Sequence, residues 1–83
     1  MDPINQIKRF LLKSLLAANG EPVPEDMLRD QVRQVMPGVL RSEVTAALGT
    51  LEDIKLISGV DRKVDGVRFW ALTTAGTATA REL

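Results

Sequence analysis

Apolar positions recur along the chain with two different periods, helical at first and strand-like later. Ile4, Ile7, Leu11 and Leu15 follow helical spacing and define one face. Phe10, Leu12 and Leu16 widen that face beyond a narrow stripe. Asp2-Pro3 supplies the start, with Asp as a cap and Pro where its missing N–H costs nothing, and Asn19-Gly20 supplies the stop. A first helix over residues 3–18 is predicted. Glu21-Pro22-Val23-Pro24 then reads as a stiff connector, with Pro24 opening a second helix whose first turn carries Glu25 and Asp26. Leu28, Val32, Val35 and Met36 form its apolar stripe, and Met36-Pro37-Gly38 ends it. A third helix runs from Arg41 or Ser42 to Ile54. It has Val44, Ala47, Leu48 and Leu51 on one face, continued by Ile54. Its interior Gly49 costs about 1 kcal/mol relative to Ala.

The period then shortens. Leu56-Ile57-Ser58-Gly59-Val60 and Val67-Arg68-Phe69-Trp70-Ala71-Leu72 read as two strands. Asp65-Gly66 between them is a hairpin signal, which puts the tip near Val64-Asp65-Gly66. Alternation directs Trp70 and Leu72 to one face, the core, and Val67, Phe69 and Ala71 to the other. Thr73 is placed to cap a short last helix reaching Arg81, and the small Gly76 suits close packing at its start.

The order helix, helix, helix, hairpin, helix resembles the winged helix-turn-helix family over nearly the whole chain. Two helices meet at Pro37-Gly38. Leu48-x-x-Leu51-x-x-Ile54-Lys55-Leu56-Ile57 is similar to the end of that family's recognition helix and the entry to its wing. Trp70-Ala71-Leu72-Thr73-Thr74-Ala75-Gly76 looks like its aromatic-x-Leu-Thr-x-x-Gly exit from the wing. Where the family often carries Gly just before the Leu-Ile pair, this chain has Lys55, so the helix end there is either strained or capped differently. The fold class expected is α+β, mainly α: one winged-helix domain over residues 1–83, with a three-helix core, a two-stranded wing and a short C-terminal helix.

The resemblance implies binding of double-stranded DNA, with the third helix in the major groove and the wing beside the backbone. Carried onto this sequence, the reading helix offers Arg41, Ser42, Thr45, Ala46, Gly49 and Thr50, and the wing offers Arg62, Lys63 and Arg68. Charge agrees only in part. Eleven Lys and Arg balance eleven Asp and Glu, whereas DNA-binding surfaces are usually basic. The second helix is acidic overall, and the third has Arg41 against Glu43, Glu52 and Asp53. Arg62, Lys63 and Arg68 can equally serve to solubilise the hairpin and blunt its edge. Lys8, Arg9 and Lys13 read as a solvated face of the first helix.

Composition narrows the remaining chemistry. Without Cys, His or Tyr, the chain lacks disulfides, thiolate or imidazole metal ligands and the commonest general base. Glu25-Asp26 and Glu52-Asp53 read as helix-terminal or surface acids. An enzyme is not expected, nor any cofactor or metal. No apolar run approaches the ~20 residues that span a bilayer, and no secretory signal is evident. A cytoplasmic protein without membrane attachment is expected. Phe10, Val67 and Phe69 extend the apolar surface beyond one thin core and are candidates for a homodimer interface. The two functional readings are a homodimeric DNA-binding transcriptional regulator and a winged-helix module for protein–protein contact. The acidic second helix and Phe69 favour the second. The Ser/Thr-rich outer face of the third helix and the basic wing favour the first.

Overall fold

The computed structural model describes residues 3–61 and 66–83. Arg62, Lys63, Val64 and Asp65, and with them most of the expected hairpin tip, lie outside the described residues. The elements are α1 (Pro3–Ala17), β1 (Val23–Pro24), α2 (Glu25–Val35), α3 (Arg41–Asp53), β2 (Ile57–Asp61), β3 (Arg68–Leu72) and α4 (Thr74–Arg81). This is the winged helix-turn-helix arrangement, α+β and mainly α.

The first helix lies where its periodicity puts it. Ile7, Leu11, Leu12 and Leu15 are buried, and Phe10 and Leu16 pack half-buried against the same core. Past its end, Asn19 (φ 54°) and Gly20 (φ 85°) both turn left-handed and stop the helix. α1 packs against α3 and α4, so its apolar arc faces more than one neighbour. That accounts for its width. Leu28 and Val32 of α2, Val44, Ala47, Leu48 and Leu51 of α3, and Ile57 and Trp70 of the sheet complete the core.

Three expectations are corrected. The connector at residues 21–24 contains a strand: Val23 and Pro24 pair antiparallel with Trp70 and Phe69, giving a three-stranded sheet in the order β1-β3-β2. A lone Pro is tolerated in such an edge strand because it needs no inward N–H there. Val35 does not join the buried stripe of α2 but is 60% exposed. Likewise Ile54 does not continue the α3 face; it is 55% exposed, at the cap where the chain leaves the helix (φ −90°, ψ 10°). Both stand at the C-terminal end of their helix, while Met36, next to Val35, still packs half-buried against the core.

The junction between α3, the hairpin and α4 is tightly made. Lys55 takes a left-handed φ of 66°, so the helix end is strained at the position where a glycine would relax it. Thr73 spans the seam: its N–H donates to Leu56 O at 3.1 Å and its hydroxyl to Lys55 O at 2.6 Å. The same Thr73 Oγ1 accepts from Gly76 N at 3.0 Å, capping α4 as its sequence position suggested. A Cβ on Gly76 would lie 1.8 Å from Leu56 O. Only a glycine lets α4 start this close to the base of β2.

Candidate nucleic-acid interface

With one face of α3 committed to the core, the opposite face is turned outward. Arg41, Ser42, Thr45, Ala46 and Thr50 are exposed, and Gly49 is half-buried. The N-terminus is stabilised by Glu43, whose Oε1 accepts from Leu40 N at 2.9 Å. This holds the Glu43 carboxylate against its own helix and away from the outer face. Thr50 is turned inward as a donor, its hydroxyl bonding Ala46 O at 3.0 Å. Its oxygen can still accept. Ser42 and Thr45 lie one turn nearer the Arg41 end. A Cβ placed on Gly49 would meet no atom of the chain within 4 Å, so nothing in the fold calls for a glycine there.

Charge looks different once segments are placed in space. Arg29 and Arg33 of α2 and Arg41 of α3 line one groove of about 570 Å³ with Asp26 and Asp30. Its apolar part comes from Pro37, Val39, Leu40 and Val44. Arg29 is ion-paired with Asp26 one turn before it. The sequence shows the second helix only as acidic overall and does not place Arg29 and Arg33. Their i, i+4 spacing puts both on one flank of α2, but Asp26 and Asp30 share that spacing and that flank, and it is Arg41 of α3 that tips the groove positive.

Of the wing candidates, Arg62 and Lys63 lie outside the described residues. Arg68 is exposed, on the strand face shared with Trp70, and its guanidinium lies 5.0 Å from the centre of the Trp70 ring. Trp70 itself is core, 2% exposed, with its indole N–H donating to Glu25 Oε1 at 3.1 Å. The interface candidates separate. Phe10 lines a shallow groove with Gln6, Arg9, Lys13, Val35 and Met36. Phe69 sits between Pro24 and the 62%-exposed Val60 in one cross-strand row, on the sheet face opposite Trp70. Val67 is half-buried just before β3. Sequence reading did not single out Leu40, 64% exposed at the head of α3, or Met27, 52% exposed on α2. Among the described residues no group of acidic side chains gathers in a way that could hold a metal ion, and no helix is long and apolar enough to cross a membrane.

No protein family model and no curated protein matches this chain. Solved structures of Lactococcus lactis ZitR do match it in fold. The apo form of a doubly substituted ZitR mutant superposes with a TM-score of 0.75 at 20% identity, over 95% of this chain and 55% of that one. A cysteine-to-serine ZitR mutant gives 0.73 at 20% identity, over 93% and 48%. A glutamate-to-alanine mutant gives 0.72 at 21% identity, over 92% and 47%. The chain thus spans about half the length of these ZitR structures, and the likeness is one of fold.

Proposed function

We propose that this chain binds double-stranded DNA as a transcriptional regulator, with α3 entering the major groove. The observation that carries the reading is the outer face of α3. It is small and polar, without bulky side chains from Ser42 to Thr50 apart from the self-capped Glu43, and it is headed by a groove in which Arg29, Arg33 and Arg41 outnumber Asp26 and Asp30. Such a face lets a helix approach base edges closely, while Arg41 and Arg33 at its rim suit phosphate or guanine. The contact is one of occupancy, and the basic side chains supply most of its salt-dependent affinity.

The test is a salt-titrated binding measurement on random duplex DNA. Replacing Arg33 and Arg41 together by Ala lowers the salt slope by about two if both meet phosphate. If Arg41 reads a base, its single replacement also costs about 1–3 kcal/mol and relaxes sequence preference. A homodimer through Phe10, Val67 or Phe69 is part of this proposal, and sedimentation at rising concentration tests it. The second reading, a protein-contact module, is favoured by Leu40 and Ile54, which stand exposed at the two ends of α3. Binding no tighter than about millimolar at low salt, weaker than ordinary non-specific binding, decides for that second reading.

A further inference from the structure

β2 and β3 pair so that Gly59 lies opposite Trp70 and Asp61 opposite Arg68. Residues two apart on a strand share a face, so Arg68 and Trp70 stand side by side next to a position with no side chain. A Cβ on Gly59 would come within 3.0 Å of both Arg68 Nε and Trp70 Cζ3. The two side chains therefore close over space that any other residue would occupy. Trp70 is fixed by burial and by its hydrogen bond to Glu25 at the first position of α2. Three residues from three elements thus form a seat, and the exposed Arg68 guanidinium rests on it.

We propose that Gly59, Trp70 and Glu25 are positioning residues that hold the Arg68 guanidinium ordered for a phosphate of duplex DNA. This deepens the DNA reading above and rests on it. A long arginine side chain loses rotamer freedom when it grips a ligand. One already stacked on a buried ring has less to lose. Stacking engages the flat face of the guanidinium, whereas its N–H groups lie in the plane, which is the geometry for a forked contact with phosphate oxygens. Lysine offers a point charge and no such plane, so it cannot use the seat in the same way.

Trp70 is the chain's one tryptophan, so its emission reports on this seat alone. The full chain is titrated with end-labelled random duplex DNA at low salt, following label anisotropy and Trp70 emission together. Both signals are expected to trace one isotherm. Arg68→Lys keeps the charge and the salt slope, but weakens binding about two- to fivefold and loses the emission response. Gly59→Ala does the same while Arg68 is still present, a result that a purely structural Arg68 would not give. Because Gly59→Ala also crowds Trp70, Glu25→Ala tests the seat from its other side: it removes the indole acceptor without touching Arg68, and it too weakens binding and blunts the emission response. Anisotropy that rises while Trp70 emission stays still, with Arg68→Lys binding as wild type, overturns the seat and leaves the DNA reading standing. No anisotropy change at any DNA concentration overturns both.

Discussion

Gly49 in α3 and Gly76 in α4 are both helical glycines, yet they sit in opposite surroundings. An added methyl on Gly76 runs into Leu56 O at 1.8 Å, whereas one on Gly49 meets nothing of this chain within 4 Å. Each forgoes the roughly 1 kcal/mol of helix propensity that Ala would bring. At Gly76 the fold explains the loss, because α4 has to start against the base of β2. At Gly49 the fold explains nothing. On the DNA reading proposed above, Gly49 is part of the face that meets the duplex, where a missing side chain lets the helix come closer. The inner seam is closed by its own contacts, and the outer face at Gly49 makes none within the chain.

The severest challenge to this contrast is Gly76→Ala. The clash is with backbone, and Leu56 O also accepts from Thr73 N, so neither partner can yield cheaply. A loss of about 2–3 kcal/mol or more is expected in thermal or urea unfolding, a large share of a small domain's stability. Thr73→Ala acts on the same seam by removing both the cap of α4 and the hydroxyl bond to Lys55 O. It should cost about 1–2 kcal/mol, with Thr73→Ser recovering most of it. Gly49→Ala should act with the opposite sign, raising stability by about 0.5–1 kcal/mol while weakening duplex binding. Unchanged DNA affinity in that variant would erase the proposed difference between the two glycines. Smallest is Lys55→Gly, which relieves a left-handed residue (φ 66°). A gain of up to about 1 kcal/mol in the unfolding free energy is expected.

Sequence periodicity reached the helices and both long strands because each has a dedicated apolar face. Thr73 and Gly76 were also legible, since capping and close packing leave local signatures. The strand at Val23 and Pro24 was not. Two residues cannot show an alternation, and Pro argues against pairing unless the partner strand is known. Val35 and Ile54 were overread because both stand at the C-terminal end of a helix, where periodicity alone does not say which apolar residue still meets the core; Met36, next to Val35, does. On the candidate interface, the outer residues of α3 followed from the buried ones by subtraction. The grouping of Arg29 and Arg33 with Arg41 did not, because charge summed along a segment hides which flank of a helix each cation occupies. Gly59 carried no signal at all. Its meaning depends on a cross-strand partner.

The knot of bonds around Thr73 has a consequence for how such a chain could diversify. Residues 55 and 56 are fastened to residue 73, and further out Trp70 is buried and bonded to Glu25 while Phe69 pairs with Pro24, so the inner part of the hairpin is tied to the body. Among the described residues, those beyond the Val60–Phe69 pair contribute nothing to the core. Sequence added at the far end of such a hairpin costs chiefly loop-closure entropy, only about 0.6 kcal/mol for each doubling of loop length. The far end of the wing is thereby the exchangeable part, while its base, with Ile57 and Trp70 in the core, is not. Longer, shorter or differently charged tips can be grafted onto an unchanged three-helix body, and reach becomes a property that varies independently of stability.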